Sequence, residues 1–350
     1  MFNLSYLSRC AHLADLGDGR VLDNPRVGAV LVHRGRIIGE GYHRQAGTAH
    51  AEVNCLRSVR SLDRPLIKQS TLYISLEPCY VTGRTGACVD VIKREGIPRV
   101  VFAQRDTTEG AGGHSTELLR AAGVEVIEYP DFAPTLAPNA HRRVLTLQQR
   151  PYVILKWAQS ADGFLRPEDR KADYWITNPI SRRLVHRWRA QTSAIVVGAR
   201  TVIEDNPSLT TRLFPGPDPR RVVIDLRHRC EGREKIFTDG GEIPLLFAAE
   251  ERPGFPAEVI VLPTSELAAA LPLVLQALYE RRYGQITVEG GATVLQAFLD
   301  TNTWEEARVF TGAKALGIGL SAPIRASKPT TTRTIGTDYL QSWRNPSTLI

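Results

Sequence analysis

The chain has 350 residues, which at roughly 100 to 200 residues per domain points to two domains, each able to bury its own core. Its 43% hydrophobic and 23% charged composition is that of a water-soluble globular protein, and no apolar run approaches the roughly 20 residues of a membrane helix. The net charge of +7 is spread without a basic run and without a nucleic-acid-binding motif, so neither nucleic acid nor a membrane is expected as a partner.

From the N-terminus, an amphipathic helix is expected near Leu4 to Leu16; Arg9 and Asp15 break what a secretion signal would keep apolar, so a reducing cytoplasm is expected. VGAVLVH (Val27 to His33) turns through Arg34-Gly35 into RIIGEGY as a hairpin. AHAEVNCLRSV predicts a helix, STLYISL a strand, GACVDVIKREG a helix closed by Gly96, and RVVFA another strand. STELLRAAG and VEVIEY add a last helix and strand. The stretch YPDFAPTLAPN carries three prolines in eleven residues and is expected as a linker, dividing the chain into domains 1–139 and 140–350. Beyond it, strand signals at PYVILKWAQSADG, AIVVG, RRVVID, PLLFAA, EVIVL, QITVEGG and ARVFTG alternate with helical ones such as SRRLVHRWRAQ, SELAAALPLVLQALYERR and ATVLQAFLDT. That alternation predicts a doubly wound α/β sheet with ligands at the carboxyl ends of its strands. Residues after about Ser327, rich in Thr and Arg, are expected as a surface tail.

Five cysteines, sparse and odd in number, argue against a disulfide scaffold. Two of them, Cys79 and Cys88, stand nine positions apart, and His50 opens a predicted helix upstream. Two thiolates and one imidazole suit a tetrahedral zinc site with a fourth position for water, as in a catalytic centre. Helix N-termini at His50 and Cys88 favour the thiolates that zinc needs. Glu52, two residues from His50, can move a proton between that water and a substrate without ligating, which is the chemistry of hydrolytic deamination. A non-catalytic zinc module would have no use for Glu52. Cys10, Cys55 and Cys230 lack partners at ligand spacing and are expected to pack in the core, and His33, His43 and His114 are expected as non-ligands.

In order, NPRVGAVLV, GEGYH, HAEV, LEPC with its second cysteine, PYVILKWAQSADG, WIT, RAQTSAIVVGARTVIEDNPSLTTR and VEGGATVLQAFL resemble the RibD family, the bifunctional deaminase/reductases of riboflavin biosynthesis. The resemblance covers about residues 1 to 325. It implies a cytidine-deaminase-like zinc domain followed by a dihydrofolate-reductase-like α/β domain. The first would deaminate 2,5-diamino-6-ribosylamino-4(3H)-pyrimidinone 5′-phosphate, and the second would reduce the ribosyl group to ribityl with NADPH. By the same resemblance, His50, Cys79 and Cys88 bind zinc, Glu52 shuttles protons and Asn24 helps hold the substrate. Gln159, Trp175, Thr201, Asp205 and Gly291 would bind the cofactor, and Arg189, Leu209, Arg212 and Glu289 the phosphorylated substrate. The glycines of Glu289-Gly290-Gly291 between a strand and a helix would let backbone N–H groups approach a phosphate. Lys156 leaves a pocket role and a solvated role equally open, and Arg200, just after a strand, is a candidate for the cofactor's 2′-phosphate. The family also implies a homo-oligomer.

The chain departs from the family between the zinc cysteines, where S-H-H-G-R-T-P-P is usual and Tyr80-Val81-Thr82-Gly83-Arg84-Thr85-Gly86-Ala87 stands here. Gln104 to Gly113 keeps Asp106 but lacks the usual proline after it, and Gln159 replaces a small residue. These departures spare the zinc ligands and bear on substrate recognition. The alternative they raise is an active reductase with a diverged or inactive deaminase domain acting on another heterocycle; nucleic-acid deamination is disfavoured by the cysteine spacing and the second half.

Overall fold

The computed structural model describes residues 3–17, 24–81, 86–108, 113–130, 132–169, 174–324 and 327–348. Two units emerge, Met1–Gln149 and Arg150–Ile350.

In the first unit, α1 (Ser5–Ala14) is followed by the hairpin β1 (Gly28–His33) and β2 (Arg36–Tyr42), then by α2 (Ala51–Ser58) and a 3-10 segment at Ser61–Gln69. There follow β3 (Thr71–Leu76), α3 (Cys88–Glu95), β4 (Arg99–Gln104), α4 (His114–Ala121) and β5 (Glu125–Glu128). The sheet runs β2-β1-β3-β4-β5, with β1 antiparallel to both neighbours and β3, β4 and β5 parallel. Buried residues alternate in side along each strand, as a sheet covered on both faces requires. Leu31, Leu72, Ile74, Val100 and Phe102 pack with α2, α3 and α4, whereas Val30, Tyr73 and Val101 pack with Leu7, Cys10 and Leu13 of α1.

The expected linker is instead folded into this unit. Helix α5 (Ala133–Leu136), a 3-10 turn at Ala137–Asn139 and α6 (Ala140–Leu147) follow in succession, with Pro134 and Pro138 in first-turn positions. A proline there lacks only an N–H that would have no helical partner, so these prolines start helices and do not break them. Asn139 exchanges hydrogen bonds with the backbone of Arg26 at 2.7 and 2.9 Å, and Thr146 of α6 bonds Thr107. Helix α6 therefore belongs with the first unit, and the division falls at Gln149/Arg150, later than the 139/140 boundary expected from the sequence.

The second unit contains β6 (Tyr152–Gln159), β7 (Phe164–Pro167), α7 (Pro179–Arg189), β8 (Ala194–Gly198), α8 (Ala199–Asp205), β9 (Arg220–Ile224) and α9 (Lys235–Thr238). It continues with β10 (Leu245–Ala248), β11 (Glu258–Val261), α10 (Leu267–Glu280), β12 (Gln285–Val288), α11 (Ala292–Asp300) and β13 (Glu306–Thr311). Then come β14 (Gly319–Ser321), β15 (Thr331–Ile335) and β16 (Asp338–Arg344). The main sheet runs β11-β10-β9-β8-β12-β6-β13-β16-β15, and it is parallel from β11 to β13. Val196 and Val288 face α10 and α11, while Ile195 and Val197 face α8 and α9, the two-sided covering of a doubly wound sheet. Strands β7 and β14 form a separate two-stranded ribbon.

Residues 331–344 are not a surface tail. They form an antiparallel hairpin on β13 that buries Asp338, Leu340 and Trp343. The carboxylate of Asp338 accepts the backbone N–H of Asn178 at 2.9 Å, and the Trp343 indole donates to the Ser327 carbonyl at 2.9 Å.

Candidate active sites

In the first unit, three element ends converge. Helix α2 lies flat on β2 because Gly41 has no side chain: a Cβ there would come within 2.3 Å of the Cys55 backbone nitrogen. Asn54 fixes the helix further by donating to the carbonyls of Tyr42 and Ala49 at 2.9 and 3.0 Å. This seats His50 at the N-cap of α2. Cys79 follows β3, and Cys88 opens α3, with its neighbour Val89 donating to the Cys79 carbonyl at 3.1 Å. The Nδ1 of His50 lies 3.4 Å from the Sγ of Cys79 and 3.4 Å from that of Cys88, and the three ligand atoms all lie within 4.8 Å of one another.

A tetrahedral zinc with bonds of about 2.3 Å to sulfur and about 2.0 Å to nitrogen separates those atoms by about 3.5 Å, so the donor set fits zinc in kind and in size. A hydrogen bond from Cys88 draws the Cys79 thiol down to about 4, helped by His50 and opposed by burial. The Cys88 thiol is pushed up by the same bond and by burial. Glu52 is only 3% exposed, and burial raises its carboxyl above the usual range, with the neighbouring Cys79 acting in the same direction.

Two further residues shape this site. His43 is buried, meets the His50 ring edge-on at 5.2 Å and bonds the Ala49 carbonyl at 3.3 Å through Nδ1. Glu77, two residues before Cys79, accepts the backbone N–H groups of Asp106 at 3.3 Å and Gly113 at 2.8 Å, and the Ser115 hydroxyl. One buried carboxylate thus ties the segment between β4 and α4 to the cysteine turn. The rings of Tyr80 and His114 meet at 5.3 Å. Residues 82–85, which include Thr82 and the Gly83-Arg84-Thr85 shared with the family, and residues 109–112 lie outside the described residues. Asn24 is exposed in the bend before β1, next to the Arg26 that Asn139 clamps. Cys10, Cys55 and Cys230 are buried free thiols, as expected.

The second unit holds a cleft of about 1390 Å³ at the carboxyl ends of its parallel strands. Of the residues expected there, Trp175, Arg189, Thr201, Asp205, Leu209, Arg212, Glu289 and Gly291 line it. Gln159, at the end of β6, is not among the residues lining it, and its side-chain oxygen accepts from the Trp157 indole N–H at 3.0 Å. Lys156 does line the cleft, which resolves its two roles in favour of the pocket.

At one end Arg189 grips Glu289 with two bonds, Nε to Oε1 at 3.1 Å and Nη2 to Oε2 at 2.8 Å, and Lys156 Nζ lies 3.7 Å from Oε2. Burial opposes ionisation, yet Arg189 and Lys156 hold the Glu289 carboxyl down to about 2. Burial lowers Lys156 from its ordinary value while Glu289 partly restores it. His186 accepts the Arg212 backbone N–H at 2.9 Å, and burial, Arg189 and Arg212 hold its imidazole down to about 4, hence neutral. Leu209 has a left-handed φ of 55°, which costs a branched residue roughly 1–2 kcal/mol, and the next carbonyl, that of Thr210, accepts from Arg189 at 3.2 Å. Gly291, with φ 66°, caps α11, and a Cβ there would come 3.1 Å from the Thr201 hydroxyl. The open backbone at this helix N-terminus, beside a hydroxyl, fits an anionic cofactor group. Arg182 lies over the exposed Trp175 ring at 4.6 Å.

Residues 151–339 match the RibD C-terminal domain, and residues 2–104 match the cytidine and deoxycytidylate deaminase zinc-binding region. The riboflavin biosynthesis protein RibD of Aquifex aeolicus is 35% identical over 325 residues, covering 91% of this chain and 88% of that protein. The chain belongs to the RibD family. Its Escherichia coli member is 33% identical over 329 residues, covering 89% of this chain and 88% of its own length. Among solved structures, a diaminohydroxyphosphoribosylaminopyrimidine deaminase/5-amino-6-(5-phosphoribosylamino)uracil reductase from Thermotoga maritima superposes with a TM-score of 0.85 at 32% identity, covering 97% of this chain and 98% of its own. RibD of Acinetobacter baumannii gives 0.83 at 27% identity over the same shares. As a RibD member the chain is a bifunctional enzyme of riboflavin biosynthesis, with a zinc-dependent deaminase domain and an NADPH-dependent reductase domain.

Proposed function

We propose that the first unit deaminates 2,5-diamino-6-ribosylamino-4(3H)-pyrimidinone 5′-phosphate and that the second reduces the ribosyl group of the product to ribityl. The observation that carries this reading is the His50–Cys79–Cys88 cluster, its ligand atoms within 4.8 Å of one another, with the buried Glu52 beside it. His50, Cys79 and Cys88 hold the zinc, which supplies a water acidified towards a pKa of about 7. Glu52 takes one proton from the attacking water and gives it to the ring nitrogen; the second proton, from the hydroxyl that the attack leaves on the carbon, passes by way of Glu52 to the departing amine, and ammonia leaves as the carbonyl forms. Asn24 holds the substrate.

In the second unit NADPH supplies a hydride. Thr201, Asp205, Trp175 and the Gly291 turn position it, while Arg212 and Leu209 place the phosphorylated sugar. Opening of the ribosylamine ring leaves a C=N bond at C1; the hydride adds to that carbon, and Lys156 delivers the proton that the nitrogen then needs. Glu289 keeps Lys156 charged in a buried setting and Arg189 keeps Glu289 charged, a chain of positioning that the distances support.

The test is sequential. Purified protein is given the diaminopyrimidine phosphate and ammonia is measured; NADPH is then added and its oxidation followed. Ammonia release followed by NADPH oxidation is expected, whereas oxidation seen only with pre-deaminated substrate would sink the bifunctional assignment. We further place the enzyme in the cytoplasm as a homo-oligomer, the reducing compartment suiting two zinc thiols; light scattering on the purified chain checks the assembly.

A further inference from the structure

The cleft of the second unit carries more positive charge than its acids can neutralise. Glu289 is engaged by Arg189 and Lys156. Glu204 faces Arg166 at 2.9 Å and Arg200 at 2.7 Å, so Arg200, the sequence candidate for the 2′-phosphate, is already held by an acid. Asp225, at the end of β9, is 1% exposed and accepts the backbone N–H groups of Arg229 and Cys230, both at 2.9 Å, with Arg252 at 3.3 Å. Arg227 and Arg229 also line the cleft, with exposed side chains, and neither has a carboxylate partner among the described residues.

The turn that carries them is rigidly made. The buried Asp225 carboxylate closes it from inside, Arg252 donates to the Cys230 carbonyl at 2.7 Å, and His228 takes a left-handed φ of 51° between the two arginines. Histidine is one of the side chains that take that backbone more readily than most, and here it sets the two arginines on either side of the turn. Two guanidinium groups are therefore presented into solvent at the mouth of a cofactor cleft by a scaffold whose own charges are satisfied.

We propose that Arg227 and Arg229 form the subsite for the 2′-phosphate of NADPH and set the preference for NADPH over NADH. The proposal rests on this cleft being the NADPH site. A phosphate monoester dianion suits forked donors that no acid has claimed. The other cationic end gathers round Glu289, which directly follows β12 and holds Arg189, with Arg212 bonded to the adjacent His186; β12 and β9 are separated by β8, which sets their ends about 10 Å apart. The two ends accordingly suit two different phosphates, that of the sugar and that of the cofactor.

Calorimetric titration of the full-length protein with NADPH and with NADH, which differ in this phosphate alone, separates the possibilities. In Arg227→Ala/Arg229→Ala, NADPH affinity is expected to fall roughly 10- to 100-fold while NADH affinity stays within about twofold. Arg200→Ala is expected to leave the NADPH-to-NADH ratio unaltered. Should the double alanine variant fail to fold by circular dichroism, Arg227→Gln/Arg229→Gln, which retains polar side chains without charge, carries the same test. An unchanged ratio in the double variant overturns the proposal. So does a raised KM for the phosphorylated pyrimidine at an unchanged ratio, which would assign these arginines to the substrate. Wild-type protein that binds neither dinucleotide would instead overturn the reading of the cleft itself.

Discussion

Glu52 combines two properties that pull against each other: a carboxyl needs water to ionise easily, yet this one is buried beside the zinc ligands. That combination makes it a poised proton carrier, and Glu52→Gln is expected to cut ammonia release by roughly 10²- to 10⁴-fold while metal analysis still finds zinc. Loss of zinc in that variant would mark Glu52 as a ligand. Cys88→Ser, by contrast, is expected to lose both zinc and ammonia release and to leave NADPH oxidation with pre-deaminated substrate intact. In the second unit Lys156→Met is expected to abolish NADPH oxidation while calorimetry still detects NADPH binding. At this scale the sequence was most informative where chemistry demanded a rare combination. His50, Glu52, Cys79 and Cys88 stood out because each lies at an element end and no packing role needs the set. The turn of the Gln159 side chain to its own strand neighbour Trp157 is a contact that no local pattern records. Arg227 and Arg229 went unnoticed since solvated arginines are common; what distinguishes them is the fate of the surrounding acids, which only the folded chain shows.

Among elements, those built from apolar runs were legible, and those built from mixed ones were not. β3, β4, β8 and β10 are nearly all buried and read directly as strands. The sequence TTRTIGTDYLQSWR buries only Asp338, Leu340 and Trp343, so its strand character rests on pairing with β13 and leaves little trace in composition. Trp343→Ala is expected to lower stability by about 3–5 kcal/mol, measured by denaturant unfolding, which a surface tail would not show. Helices α5 and α6 were hidden by prolines whose first-turn position cannot be told from a linker until the helix is seen. The α2–β2 packing offers a second test. Gly41→Ala forces a Cβ into the Cys55 backbone and is expected to weaken zinc retention against a chelator, with NADPH oxidation unaffected.

For the molecule as a whole, acid stability is governed in part by Glu289. Its carboxyl sits at about 2 in the folded chain against an ordinary 4.5, a difference worth about 3 kcal/mol. Because the folded value is the lower one, this contribution is complete above 4.5 and is lost as pH falls towards 2. Unfolding measured from pH 5 to pH 2 is expected to show a shallower dependence in Glu289→Gln, whatever its stability at neutral pH. The division into a zinc-ligand half and a doubly wound half could be read from the motifs and from strand–helix alternation. The exact place of the division could not, since it depends on which unit α6 packs with.

The hairpin on β13 also has a consequence for synthesis. Strand β13 is made some thirty residues before β16, its neighbour on one side, so a growing chain exposes the open edge of β13 until residues 338–344 emerge. At roughly 5–20 residues per second that interval is a matter of seconds. Ribosomes stalled or terminated within it would release a sheet with an unpaired apolar edge, the kind of surface on which chains recruit one another.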